Sequence, residues 1–419
     1  MAAGLQARCC IFVGEYMKYD FTSIMERKGH DAIAVDSLGK LPGFAPDLPK
    51  EGFDPIPMWV ADMNFPTCPS VTRAMAERIA HPAFGYFDPR EEYYDSIIRW
   101  HETRNHVTGL TKACIGYENG VLGGVVSALN VFCSKGDKVL VHSPTYIGFT
   151  MALKNNGYEI VLSPLCQDDQ GIWRMDLEDM EEKLKKEKIH AAILCSPHNP
   201  AGRVWERWEL EQVMELFRRY DVYVVSDEIW SDLLLDGHQH IPTQSVSEDA
   251  KMRTAAFYAP SKTFNLAGLV GSYHIIYNTW IRDRIRKESS LCHYNDMNIL
   301  SMYALTGAYA QEGYEWVDEL LTVLSGNVDY ACRFIREELK GLKASRPEGT
   351  YMLFVDCSEW CEAHGKSIDE VEHACWDVGV MVQDGRMFHG PCHLRLNLAL
   401  PRTRVEEAFG RLKQYVFTA

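Results

Sequence analysis

The sequence predicts an α/β protein: a mainly parallel sheet flanked by helices, followed by a smaller α+β unit toward the C-terminus. Three observations carry that prediction. Short apolar runs alternate with longer amphipathic stretches through the middle of the chain, the pattern of βαβ units. Each run breaks directly into a polar, turn-rich segment. From about residue 300 the order changes to long helical stretches followed by separated strand-like runs. At 419 residues the chain also exceeds the roughly 150 expected of one domain, so two to three domains fit.

In chain order, the glycine-rich Asn119-Gly-Val-Leu-Gly-Gly124 comes first, ahead of the apolar stretch Val125–Cys133. Four strands follow at Lys138–His142, His190–Cys195, Val222–Ser226 and Thr254–Tyr258, each apolar for four or five residues. Helices are expected at Asp176–Lys188 and Glu206–Tyr220; the second repeats Trp208, Val213, Leu216 and Phe217 among charges. Beyond them lie helical Ile299–Ala310 and Tyr314–Lys340, strand-like Thr350–Asp356, a helix near Ile368–Val378, strand-like His393–Leu398 and a closing helix.

Composition narrows the function. Hydrophobic residues make up 46% and charged residues 24%, as in an ordinary globular protein. The net charge of −15 disfavours nucleic-acid backbones and anionic lipid surfaces as partners. The longest uncharged run, Thr263–Ile281, carries Asn265, Ser272, His274 and Asn278, so it reads as protein interior and not as a membrane span. Thirteen cysteines without a Cys-x-x-Cys pair suit neither zinc nor a disulfide framework, and they read as reduced, buried thiols of a cytoplasmic protein. No metal site is expected. Cys9–Val13 is too short for a secretory signal, and residues 1–16 read as an extension upstream of a chain start at Met17.

Ligands of an open α/β sheet bind beyond the carboxyl ends of its strands. The segments after the four strands therefore matter: Ser143-Pro-Thr-Tyr146, Ser196 through Gly202, Asp227-Glu-Ile-Trp230 and Ala259-Pro-Ser-Lys262. They bring an aromatic ring, an amide, a carboxylate and a lysine to one edge. Each has two readings. Desolvated Lys262 could bond an aldehyde, or simply cap its strand. Asp227 could pair with a protonated pyridine nitrogen, or cap a helix. Asn199 could donate to a phenolic oxygen, or serve a turn, and Tyr146 could stack on a ring, or pack in the core. The Asn119–Gly124 turn could cradle a phosphate at a helix start. Arg395, inside the apolar Leu394–Leu398, could grip a carboxylate or form an internal salt bridge.

Taken together these residues resemble the fold-type I pyridoxal-phosphate enzymes, specifically the MalY/PatB-type cystathionine β-lyases of the class I/II aminotransferase superfamily. The resemblance runs from Met17 onward. Its matching stretches are Pro57-Met-Trp-Val-Ala-Asp-Met-Asn-Phe65, Phe84-Gly-Tyr86, Asn199-Pro-Ala-Gly202, Ser226-Asp-Glu-Ile229, Ser261 through Gly268, Glu348-Gly-Thr-Tyr351 and Arg395-Leu-Asn397. It implies a seven-stranded mixed sheet in a large cofactor-binding domain, 61–300. A smaller domain, 301–419, would pack with the N-terminal segment 17–60. It implies that Lys262 bonds pyridoxal 5′-phosphate and shuttles the Cα proton. Asp227, Asn199, Tyr146, Leu122, Gly123 and Ser261 would bind the cofactor. Tyr86 would reach the phosphate across a homodimer interface, and Arg395 and Asn64 would bind substrate. The sequence departs from relatives at Trp230 (more often His or Tyr), at Asn64 (usually Asp) and at Ala259, where a phosphate-binding Ser is common.

The implied activity is a C–S β-lyase that cleaves L-cystathionine or related cysteine S-conjugates to pyruvate, ammonia and a thiol. An amino-acid aminotransferase uses the same residues, and a cofactor-binding regulatory protein acting through a partner is the third reading.

Overall fold

The computed structural model describes residues 17–291 and 295–418. A short strand β1 (Ile56–Pro57) is followed by eight strands of one sheet: β2 (Ile115–Asn119), β3 (Lys138–Ser143), β4 (Glu159–Gln167), β5 (Trp173–Met175), β6 (Ile189–Cys195), β7 (Tyr223–Asp227), β8 (Thr254–Tyr258) and β9 (Gly271–Ile275). Their spatial order is β2-β9-β8-β7-β6-β3-β4-β5. The neighbours from β8 through β4 run parallel, and the two edges, β2-β9-β8 and β4-β5, are antiparallel.

The four strands expected from apolar runs fall within one residue of β3, β6, β7 and β8. Alternation explains why those runs are apolar throughout. Val139, Val141, Ala191, Ile193 and Val225 face one layer, where they meet Val125 and Leu129 of helix Val121–Phe132. Leu140, Ala192, Leu194 and Val224 face the other, against Leu210, Val213 and Phe217 of helix Arg207–Arg219. The sheet has one strand more than the seven implied by the resemblance. The addition is β5, folded back onto the end of β4 by a turn in which Asp168 accepts from Ile172 N (3.0 Å) and Arg174 Nε (3.0 Å). Three residues with an arginine at the centre leave no apolar run to read.

The C-terminal part builds β10 (Lys343–Ala344), β11 (Met352–Asp356), β12 (Val380–Met381), β13 (Gln383–Asp384) and β14 (His393–Asn397). Four of them form an antiparallel sheet in the order β10-β11-β14-β13, while β12 pairs in parallel with β1. The helix Gln311–Glu338 packs beside this sheet through Leu324, Val328 and Ile335. The uncharged run Thr263–Ile281 is divided among a turn, β9 and the start of helix Thr279–Ser290. No helix among the described residues is long and apolar enough to cross a membrane.

Between β1 and Phe65 the chain forms a strap, bent at Trp59–Asp62, that joins the two sheets. Met58 N donates to Met381 O (3.0 Å) of β12, and Asn397 N of β14 donates to Met58 O (2.7 Å).

Candidate active site

The inter-strand register places Cys195, Asp227 and Phe257 side by side at the carboxyl ends of β6, β7 and β8. A cavity of about 300 Å³ opens over that edge. Asn119, Leu122, Gly123, Tyr146, Asn199, Asp227, Ser261 and Lys262 all line it, as do Ala259 and Trp230. A larger cleft of about 580 Å³ lies between Gln170, Arg346 and His393. Its arginines are already engaged, Arg203 with Glu209 and Glu348, Arg346 with Asp236 and Asp329. Volume therefore does not pick out the chemistry; unpaired charge does.

Lys262 sits in the turn after β8, which is held from several sides. Phe264 N donates to Pro260 O (2.8 Å) and Leu266 N to Ser261 O (2.9 Å). Thr263 Oγ1 donates to Asp232 Oδ2 (3.0 Å), and Asn265 bonds both Met63 N (3.0 Å) and Met63 O (2.9 Å) of the strap. Lys262 Nζ itself donates to Ala61 O (2.9 Å). Burial, with Arg395 adding repulsion, lowers its pKa to about 8. A usable fraction of free amine therefore exists near neutral pH.

Asp227 is 4% exposed and accepts a bond from Ile229 N (3.1 Å), but no cationic side chain among the described residues bonds to it. Burial raises its carboxyl to about 7. Arg395 is its counterpart. It lies in β14, 3% exposed, its guanidinium stacked 4.3 Å from the centre of the Phe388 ring. It donates only to neutral acceptors: Trp59 O (3.0 Å), Asn199 Oδ1 (3.3 Å) and Gln383 Oε1. Its Nε has no partner, and no carboxylate pairs with it among the described residues. Such a group is costly to bury and is satisfied by an incoming anion.

The glycine-rich turn lies differently from expectation. The helix starts at Val121, inside that segment, so Leu122 and Gly123 belong to its first turn. Gly120, with φ of +78°, makes the reversal that starts it, a conformation other residues resist. The first internal bond closes at Gly124 N to Gly120 O (3.2 Å), which leaves the preceding amides directed at the cavity end, as an anion requires. Across from them, the Tyr146 ring lies so close to Gly148 that a Cβ there would stand 2.3 Å from Tyr146 Cε1 and 2.9 Å from Leu122 Cδ1.

Three residues expected at the site are not among those lining this cavity: Arg395, which reaches it through its bond to Asn199, Tyr86 and Asn64. Tyr86 is fully exposed within the irregular segment 82–89. Asn64 accepts from Arg27 Nη1 (2.9 Å) and donates to Pro57 O (3.4 Å), while Arg27 also pairs with Asp62 (2.6 Å). Sequence reasoning missed Gln383, Tyr351 and the strap carbonyls. Tyr351 OH donates to Ala61 O (3.1 Å), the same oxygen that holds Lys262. Gln383, polar directly after the apolar Val380–Val382, was a readable signal; backbone carbonyls give none.

The sequence profile of the family described as aminotransferase class I and II matches residues 55–412. Cystathionine β-lyase PatB of Bacillus subtilis (strain 168) is 34% identical over 397 residues, 94% of this chain and 99% of that protein. Protein MalY of Escherichia coli (strain K12) is 29% identical over 401 residues, 94% and 98% of the two chains. The crystal structure of the PLP-bound C–S lyase from Staphylococcus hominis superposes with a TM-score of 0.85 at 29% identity, covering 96% of this chain and 99% of that one.

Two outcomes are expected from this geometry. Gly148→Ala should lower stability by about 1–3 kcal/mol in chemical denaturation, because Tyr146 or Leu122 must move. The second concerns pH. In the protein without ligand, Asp227 titrates near 7 when folded against 3.8 when unfolded, so the folded state binds more protons between those values. Its contribution to stability is therefore present at low pH and is lost as pH rises from 4 to 7. Asp227→Asn should gain on the wild type across that window, by an amount on the order of a few kcal/mol; a difference independent of pH would contradict an uncompensated carboxylate.

Proposed function

The chain belongs to the class I and II aminotransferase family, and on that premise we propose that it is a pyridoxal 5′-phosphate-dependent C–S β-lyase acting on L-cystathionine or related cysteine S-conjugates. One observation carries the reading. Among the described residues, a desolvated lysine and a buried carboxylate that no cation hydrogen-bonds line one cavity, and a buried arginine that no carboxylate pairs with stands behind it, bonded to Asn199. These are the complements of a substrate carboxylate, a pyridinium nitrogen and an aldehyde. The residues thus fit the cofactor, and the names of the relatives favour lyase over transaminase chemistry.

Bound pyridoxal phosphate supplies the electron sink for the Cα carbanion. The protein's residues supply the rest. Lys262 would hold the cofactor through its amine; Asp227 would keep the pyridine nitrogen protonated, Asn199 would donate to the ring oxygen and Tyr146 would cover the ring face. The backbone amides of Leu122 and Gly123 and the hydroxyl of Ser261, which line the cavity, would hold the phosphate. Arg395 fixes the substrate carboxylate, which places the Cα proton at Lys262 Nζ. Once the substrate's amine has displaced Lys262 from the cofactor, the freed Nζ would accept that proton, the C–S bond would break with its electron pair on sulfur, and Nζ would return the proton to the departing thiolate. Hydrolysis of the remaining three carbons gives pyruvate and ammonia. Because the burial of Arg395 lacks a counter-anion until substrate arrives, its attraction is already aimed and requires no rearrangement.

In the same reading, residues 61–300 carry the cofactor, and 301–419 with 17–60 close over it. The working unit is a cytoplasmic homodimer in which Tyr86 of each subunit reaches the other's phosphate. The full exposure of Tyr86 and the 56% exposure of Phe84 support that arrangement.

The test is pyruvate release from L-cystathionine by the cofactor-loaded protein with no keto acid added. Multiple turnovers are expected, and Lys262→Ala should abolish them. Arg395→Leu should raise KM by roughly ten- to a hundredfold, matching the ~1.5–3 kcal/mol of a charge-assisted contact. Turnover that requires a keto-acid acceptor would instead make the protein an aminotransferase.

A further inference from the structure

Trp230 has no part in the roles described so far. It is 2% exposed, lines the cavity, and lies with its ring centre 5.8 Å from Lys262 Nζ. Its ring meets Tyr351 edge-on, the centroids 4.8 Å apart at 75°. Tyr351 is fully buried and donates to Ala61 O, the acceptor that Lys262 shares. Trp230, Tyr351 and the Ala61 carbonyl thus form one packed unit around the lysine head.

An ammonium has three donors, and that of Lys262 has one hydrogen bond among the described residues. The charged groups that face it are Arg395, which disfavours the ammonium, and Asp62 and Asp227, which favour it; none of the three bonds to it. The negative face of an indole is the strongest aromatic partner for a cation and offers nothing comparable to a neutral amine. We propose that Trp230 is a positioning residue for Lys262: its ring holds the ammonium against the Ala61 carbonyl and thereby sets the pH at which the amine becomes free to react. The inference rests on the assignment of Lys262 as the cofactor lysine. It gives the departure at position 230 a consequence, since a smaller ring there would hold the lysine head less firmly.

The test uses the full-length protein freed of cofactor and mixed with pyridoxal phosphate over a series of pH values. The readout is the rate of covalent attachment, in which the neutral amine condenses with the aldehyde and water leaves, followed by absorbance and by borohydride trapping. Comparing chains cancels the titration of the reagent itself. Trp230→Leu should move the midpoint down by roughly half a unit to one and a half units, the ~0.5–2 kcal/mol of a cation–π contact at about 1.36 kcal/mol per unit. Trp230→Phe keeps a ring against Tyr351 and should move it less in the same direction, so it decides the matter if the leucine variant does not fold. Midpoints equal to or above that of the wild type in both variants would overturn the inference. Attachment at an unchanged rate in Lys262→Ala would instead refute the assignment of the lysine, which separates the two failures.

Discussion

The constraint on which the site depends is the hydrogen-bonding demand of the strap that joins the two sheets. Buried carbonyls must find donors, and a bent segment with no strand alongside cannot take them from a ladder. Side chains from both sheets meet the need. Arg395 donates to Trp59 O, Asn397 to Val60 O (2.7 Å) and Asp62 O (2.5 Å), and Lys262 and Tyr351 to Ala61 O. Each of these bonds also fixes a functional or neighbouring side chain. The same contacts thus satisfy the strap, register the sheets against one another and orient the lysine and the arginine.

A site assembled in this way can hold charge that the fold leaves uncompensated. Arg395 and Asp227 are buried on elements anchored elsewhere, by β11 and β13 on one side and by β6 and β8 on the other. The surrounding structure over-determines their positions, so they cannot relax toward solvent. Their missing counter-charges are then a description of the ligand. By contrast Glu228, equally buried beside Asp227, is satisfied by Ser226, His240, Thr243 N and Tyr258, and is part of the scaffold.

Much of this was legible in the sequence because the parallel strands are buried on both faces and therefore read as unbroken apolar runs. The polar residue at the end of each run was then a short step to the site: Tyr146, Asn199, Asp227 and Lys262 line one cavity. The rest was hidden for identifiable reasons. Backbone acceptors at residues 59 to 62 have no side-chain signature, so the stretch Pro57–Phe65 could be matched to relatives without its task being understood. The helix start at Val121 depends on one positive φ at Gly120, which two further glycines nearby obscured. The bonds of Asn64 to Arg27 and Pro57 had no signature in the sequence either, since Arg27 lies far from the motif that holds Asn64.

The anchoring of Lys262 and Arg395 on the strap has a metric consequence. Their acceptors, Ala61 O and Trp59 O, are two residues apart on one segment, so the reach of the chain limits their separation to roughly 7 Å at most. The spacing between the basic nitrogen and the carboxylate grip is therefore bounded by peptide geometry, a limit that no substitution of side chains alters. Drift in the sheets and helices behind the site can reshape the chamber that receives the variable part of a substrate, while the span over the part common to every α-amino acid stays within that bound.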